Sequence, residues 1–425
     1  MAHETTIVMQ TSTIKYGFGA TREIGFDMRQ SGARRVMVVV DPNLVNRDPA
    51  RITVDSLQAE GIDVVLYSEI HIEPTDTSFQ EAIQFAKEGN FDGYVAVGGG
   101  STIDTAKVSN LYATYPADFF AYVNPPVGEG RPVPGPLKPM IAIPTTAGTG
   151  SETTGTAIFD YQDQHVKTGI AHQALRPLLG IIDPNNTRSL PRMVAACTGF
   201  DVLCHAIESF TAIPYHQMTA PKNPGLRPPY QGANPISDVW AAKAIQMVAQ
   251  NILQAVKNPE DSEARAEMIL AATFAGIGFG NAGVHLPHAM SYPIAGMVRD
   301  YIPEGYNVNY PIVPHGLAVL LTTPAVFRFT APMDPKRHLT VAQLMGADIS
   351  QSDEGDAGEI LASKMIDLMR KTGMPNGLDA IGYTPADIPQ MVAGTLAQQR
   401  LTKLSPRPFD ESDLSALFLD SMVYW

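Results

Sequence analysis

The strongest constraint in this chain is a series of short, wholly apolar runs spaced by helix-length segments. Residues 36–40 (VMVVV) end at Asp41. Residues 64–67, 94–97 and 140–143 repeat the pattern, and 178–183 (LLGIID) is the last of it. A strand with one face in water alternates polar and apolar side chains. A strand that does not alternate is covered on both faces, as in a parallel sheet flanked by helices. The runs therefore predict an α/β domain over residues 1–185. Beyond it, residues 191–210, 237–256 and 261–274 carry helical periodicity and good helix formers, and few strands are apparent. Residues 186–425 are thus expected to form a mainly helical domain. A chain of 425 residues has room for both.

Charge and cysteine usage exclude several classes. The formal net charge of -13 opposes a polyanionic partner, so no nucleic-acid role is expected. The two cysteines, Cys197 and Cys204, cannot build a disulfide framework and read as small buried hydrophobes. The N-terminus lacks a secretory pattern, and no apolar run approaches the roughly 20 residues of a membrane span. Two irregular stretches, 213–235 and 299–314, are long enough to be binding loops or lids.

Two turns suggest a phosphate-binding crevice. The third run leads into Gly98, Gly99 and Gly100, and Ser101 opens a helix. Glycines let a backbone approach a ligand closely, and a helix start offers N–H groups to an anion. The same residues also suit a plain strand-to-helix turn. The sequence is not the G-x-G-x-x-G fingerprint, and it follows the third run rather than the first. The fourth run leads into a second turn of small and hydroxyl residues containing Thr145, Thr146 and Thr149. This could line a cofactor pocket or be a polar loop. Asp41 could accept from an adenosine ribose and so favour NAD over NADP, or could cap a turn.

Asp201 and His205 stand four apart in a helical pattern among apolar neighbours, so both face one way. His288 and His315 lie in small-residue settings further on. One carboxylate and three imidazoles suit a divalent ion, Fe²⁺ foremost with Zn²⁺ also compatible, acting as a Lewis acid on a hydroxyl.

Together these segments resemble the iron-containing alcohol dehydrogenases. The likeness rests on GGGS with Asp104 and Lys107, on PTTAGTGSE, on Asp201 with His205, and on His288 and His315, all in consistent order. The resemblance implies a dinucleotide-binding α/β domain followed by a helical domain, in the manner of dehydroquinate synthase-like folds. It implies Asp201, His205, His288 and His315 as metal ligands. It implies NAD contacts at Asp41, Gly98, Gly99, Gly100, Ser101, Asp104, Thr145, Thr146 and Thr149. The segments SETTGTAIFDY, GFDVLCHAIES, RPPYQGANPISD, FAGIGFGNAGVH and TKLSPRP are similar to the hydroxyacid-oxoacid transhydrogenase branch. That branch is expected to oxidise 4-hydroxybutyrate while reducing 2-oxoglutarate, with the nicotinamide kept bound. The alternative is a primary alcohol dehydrogenase with exchanging NAD.

Many members carry a further histidine four residues after the third ligand, where this chain has Tyr292. Tyr292 is expected to pack, touch substrate, or pass a proton. His285 is an alternative relay or simply a core histidine. Arg227 and Arg299 are candidate partners of a substrate carboxylate, or else solvated surface cations. A homo-oligomer without a membrane partner is expected, cytoplasmic in a bacterium or in the mitochondrial matrix of a eukaryote.

Overall fold

The computed structural model describes residues 3–164 and 166–425. They form two compact units, Thr11–Leu190 and Pro191–Trp425, the latter joined by Met1–Gln10. Reciprocal bonds attach the leading segment. Val8 N–H donates to Gln231 Oε1 and Gln231 Nε2 donates to Val8 O, each at 2.8 Å. Gln10 and Asn281 pair in the same way.

The first unit is built on a six-stranded sheet. Its strands are β1 (Thr13–Tyr16), β2 (Arg35–Val40), β3 (Asp63–Tyr67), β4 (Gly93–Gly98), β5 (Met140–Pro144) and β8 (Leu179–Ile182). They lie in the order β1-β8-β5-β4-β2-β3, every pair parallel. The non-alternating apolar runs are explained by burial from both sides. Val36, Val38, Val95, Val97, Ile141 and Ile143 enter one core with Ile24, Met28 and Leu57. The intervening Met37, Val39, Tyr94, Ala96, Met140 and Ala142 enter another with Ala82, Ile103 and Ala106. The two-residue period of a strand thus feeds two separate cores.

Helices α1 (Ile24–Gln30), α2 (Asp48–Ala59), α3 (Asp76–Gly89) and α4 (Gly100–Thr114) connect the strands. The chain runs from β2 outward to β3, then returns across β2 to β4. A ligand crevice forms at the carboxyl ends of strands where the winding direction reverses in this way. Asp41 follows β2 and Gly98 closes β4, so both stand at that edge. A separate antiparallel hairpin, β6 (Thr156–Tyr161) with β7 (Val166–Ala171), was not apparent from the sequence.

The second unit is helical: α5 (Arg192–Thr211), α6 (Pro235–Lys257), α7 (Ser262–Ala282), α8 (Leu286–Gly296) and α9 (His315–Leu320). Then follow α10 (Thr323–Thr330), α11 (Pro335–Leu344), α12 (Ala357–Thr372), α13 (Ile388–Leu396), α14 (Gln399–Thr402) and α15 (Glu411–Asp420). Helices α5, α6 and α7 pack on one another. Contrary to expectation, α5 is long and apolar enough to cross a membrane by composition. It is, however, a core helix, mostly buried inside the unit and carrying the buried Asp201, His205 and Glu208. Cys197 and Cys204 are free and buried on it.

Candidate metal centre

Asp201 and His205 lie one turn apart on α5. His288 lies in the first turn of α8, and His315 opens α9. One donor atom from each falls within 4.8 Å of all the others. Asp201 Oδ1 is 3.5 Å from His205 Nδ1, 3.7 Å from His288 Nε2 and 3.8 Å from His315 Nε2. These gaps are too long for hydrogen bonds. Donors about 2.1 Å from a common tetrahedral ion would stand roughly 3.4 Å apart, so they suit ligands around one cation. His205 Nδ1 and His288 Nε2 are buried with no hydrogen-bond partner among the described residues. Buried imidazole nitrogens left this way are costly, and an ion between them removes the cost.

The approach of α9 depends on one glycine. A Cβ on Gly316 would lie 2.1 Å from the Cys197 carbonyl oxygen and 2.8 Å from Asp201 Cβ. Only a residue without a side chain lets α9 come close enough to α5 for His315 to reach Asp201.

Glu208, which the sequence reading passed over, organises the cluster. It is fully buried on α5, one turn beyond His205. Its Oε1 accepts the backbone N–H of His285 at 2.9 Å and of His288 at 3.2 Å. Those are otherwise unmatched donors at the start of α8. Its Oε2 accepts a short hydrogen bond from His288 Nδ1. That bond places the proton on Nδ1 and leaves Nε2 bare toward Asp201, the arrangement of a histidine prepared as a ligand. Burial opposes ionisation of Glu208, but His288 and the backbone donors outweigh it and hold the carboxyl below its usual range. His205 is held well below the ordinary histidine range, first by burial and then by His288 and His315. It is therefore neutral, as a ligand must be. Its ring stacks on Phe279, 4.0 Å between centroids. The sequence signal for Glu208 was a carboxylate three residues after His205, between Ile207 and Phe210, where no charge belongs without a partner.

In the first unit the two expected turns meet. A Cβ on Gly99 would touch Thr146 at 3.2 Å, and one on Gly100 would lie 2.6 Å from Thr149 Cγ2. Gly99 caps α4 without any side-chain bond, so the first N–H groups of that helix keep their capacity for an anion. Thr145 N–H donates to Gly98 O at 3.0 Å, tying the turns together. Ser101 Oγ accepts Glu73 N–H at 3.2 Å. Asp41 caps the turn after β2 by accepting Asn43 N–H at 2.9 Å, and burial raises its carboxyl above the usual range.

Asp104 lies between the two turns. Its carboxylate is taken up by protein groups: Ser151 Oγ at 2.5 Å, Ile158 N–H at 3.0 Å and the fully buried Lys107 Nζ at 3.3 Å. It ties the α4 start to the turn after β5 through these bonds. Arg227 and Arg299 each have an acidic partner. Arg227 donates side-on to Glu4 at 3.1 and 3.3 Å. Arg299 pairs with Asp387 and with Gly382 O. Both charges are already met by carboxylates. Of the two relay candidates, His285 is fully buried, with Nε2 3.1 Å from Thr211 Oγ1. Burial lowers its pKa to about 4. Tyr292 is buried one turn beyond His288, its hydroxyl 3.4 Å from Arg400 Nη2.

Comparison with known proteins agrees with this geometry. Residues 11–184 match the family model "Iron-containing alcohol dehydrogenase", and residues 230–422 match "Fe-containing alcohol dehydrogenase family, C-terminal". The chain is 56% identical over 416 residues to the mitochondrial hydroxyacid-oxoacid transhydrogenase of Bos taurus, covering 97% of this chain and 89% of that one. The Homo sapiens protein of the same name is 54% identical over the same shares. Among solved structures, a 1,3-propanediol oxidoreductase superposes with a TM-score of 0.85 at 27% identity, covering 98% of this chain and all of that one. A sulfoacetaldehyde reductase from Bifidobacterium kashiwanohense, solved with NAD+, superposes with a TM-score of 0.79 at 25% identity, covering 99% and 98%.

Proposed function

The chain belongs to the iron-containing alcohol dehydrogenase family, and from that premise we propose that it is a hydroxyacid-oxoacid transhydrogenase. In this reading 4-hydroxybutyrate gives up a hydride from C4 and its hydroxyl proton to become succinic semialdehyde. 2-Oxoglutarate takes up the same hydride equivalent and a proton to become 2-hydroxyglutarate. The observation that carries the reading is identity above half, over nearly the whole chain, to relatives of that name. The geometry supplies the rest: a buried cluster of four donors and a glycine turn open to a dinucleotide.

Asp201, His205, His288 and His315 would hold the ion, Fe²⁺ or Zn²⁺ by donor chemistry. A divalent cation there supplies the Lewis acidity that makes a substrate hydroxyl easier to deprotonate. NAD supplies the hydride acceptor and donor, its pyrophosphate suited to Gly98, Gly99, Gly100 and Ser101, with Thr146 and Thr149 alongside. Asp41 would accept from its ribose and repel a 2′-phosphate. The chain's own work is positional. Glu208 fixes the tautomer and direction of His288. Phe279 covers one face of His205 and keeps water from it. Tyr292 presents a hydroxyl one turn from His288.

The test supplies 4-hydroxybutyrate and 2-oxoglutarate to metal-loaded enzyme with no added NAD⁺. Deuterium placed on C4 of 4-hydroxybutyrate should appear at C2 of 2-hydroxyglutarate by mass spectrometry. Turnover only on addition of NAD⁺, with 1-butanol as good a substrate as the acid, would establish a primary alcohol dehydrogenase instead. The likeness to 1,3-propanediol oxidoreductase favours that second reading.

A further inference from the structure

The transhydrogenase reading requires a cation for two acids, and the two arginines first considered are engaged elsewhere. Arg400, which follows α13 and lies in α14, is different. Its Nη2 is 3.4 Å from the Tyr292 hydroxyl, and its Cζ lies 5.0 Å from the centre of the Tyr230 ring. Arg227, Arg299, Arg328 and Arg337 each hold a carboxylate. Arg400 has no carboxylate within ion-pair distance among the described residues. A second cation, Lys403, has its charge opposed first by burial and then by Arg400. Arg400 is itself only partly exposed. A half-buried, unmatched guanidinium beside a second cation is unfavourable in a chain of net charge -13, unless an anion joins it.

This cation is tied to the metal cluster through shared neighbours. Tyr292 follows His288 by four residues on α8, about 6 Å along the axis. Tyr230, Phe279, Tyr292, Leu401 and Leu404 form one apolar cluster, and Phe279 is the ring that stacks on His205. Gly283, with φ +94°, admits the arrangement, since a Cβ there would lie 2.5 Å from Leu404 Cδ1 and 2.9 Å from Tyr230 Cβ. Ile213 N–H donates to Leu404 O at 3.0 Å, fastening the segment that carries Arg400 to the proline-rich loop.

We propose that Arg400 is the carboxylate anchor for both co-substrates, aimed by the Tyr292 hydroxyl and the Tyr230 face, with Lys403 strengthening the positive field. The inference rests on the transhydrogenase reading and adds the reason one seat serves both acids. In 4-hydroxybutyrate and in 2-oxoglutarate alike, three carbon–carbon bonds separate the carbon that exchanges hydride from a terminal carboxylate carbon. Each molecule therefore spans roughly 6 Å between its reacting oxygen and that carboxylate, at about 1.2 Å per bond. One cation, held against the Tyr292 hydroxyl that lies a helical turn beyond His288, can take that carboxylate in either acid, whereas a simple alcohol has nothing to offer it.

The experiment uses full-length, metal-loaded R400Q and R400K. Titration calorimetry with glutarate, which cannot react, reads binding apart from turnover. R400Q should raise the glutarate Kd and the KM of both acids about 30-fold, close to 2 kcal/mol, in the range for removing one partner of a charge-assisted pair. The ratio of kcat/KM for 4-hydroxybutyrate over 1-butanol should fall by the same factor, and R400K should recover most of it. Glutarate bound as tightly by R400Q as by the parent, or equal losses toward acid and butanol, would overturn the proposal. Should R400Q not fold, Y230L, which removes the ring beneath the guanidinium and keeps the charge, is read by the same titration with a several-fold loss expected. If the parent shows no hydride transfer between the acids yet binds glutarate through Arg400, the functional reading fails and the anchor stands.

Discussion

Replacing Glu208 by Gln tests how the chain prepares a metal ligand. The substitution keeps the shape of the side chain. Its amide oxygen can still accept the two α8 N–H groups that Oε1 accepts at 2.9 and 3.2 Å. Its NH2 group then faces His288 Nδ1, which now donates to Oε2. Two donors cannot share that contact, so His288 must carry its proton on Nε2, the nitrogen that faces Asp201 3.7 Å away. A protonated Nε2 cannot ligate. Loss of an outer partner of this kind weakens metal binding about 10- to 100-fold, or roughly 1.4 to 2.7 kcal/mol. Because the helix cap is kept, E208Q should fold with little change in apo stability. E208A should in addition strand two buried N–H groups, at about 1–3 kcal/mol for each. The assay is bound metal after equilibration in buffers of defined free Zn²⁺, with apo melting temperature in parallel. Parent-like metal affinity in E208Q would refute the tautomer argument and leave Glu208 a helix cap only.

Other outcomes follow from the same structure. G316A, which sets a Cβ 2.1 Å from the Cys197 carbonyl oxygen, should push α9 outward and cost about 1–3 kcal/mol of stability, with metal affinity lost alongside. Calorimetric melting and metal titration check it. His285 has a folded pKa of about 4 against an unfolded value near 6.5. Between those values the unfolded chain takes up a proton that the folded chain refuses. Apo stability should therefore fall as pH drops from about 6.5 to about 4, by on the order of 3 kcal/mol from this group, and the slope should flatten in H285N. Denaturant midpoints across that window measure it. G100A, whose Cβ would lie 2.6 Å from Thr149 Cγ2, should crowd the turn and raise the Kd for NAD⁺ at least several-fold, read by nucleotide fluorescence.

The sheet was legible because β2, β4, β5 and β8 are buried on both faces, so hydrophobicity alone marked them, and the edge strand β3 was marked by its apolar run although Leu66 is exposed. The edge strand β1 was not, since TIKY is four residues long and partly exposed. The β6–β7 hairpin was missed because β6 alternates in burial and both strands mix threonine, lysine or aspartate among their apolar residues. The four donors were legible by residue type. Glu208 and Arg400 were not, because their roles are defined by partners 80 and 108 residues away, His288 and Tyr292. The ion pairs of Arg227 and Arg299 were not legible either, as a sequence does not reveal which carboxylate lies beside an arginine. Asp104 shared a motif with the glycine turn but spends its oxygens on Ser151, Lys107 and Ile158.

The most direct test of the metal centre is anomalous diffraction at the iron or zinc edge from crystals loaded with that metal. One peak, with a carboxylate oxygen of Asp201 and a nitrogen each of His205, His288 and His315 all about 2.0–2.2 Å away, is the result expected. A loaded crystal whose peak lies elsewhere, or touches fewer than three of these residues, would contradict the assignment.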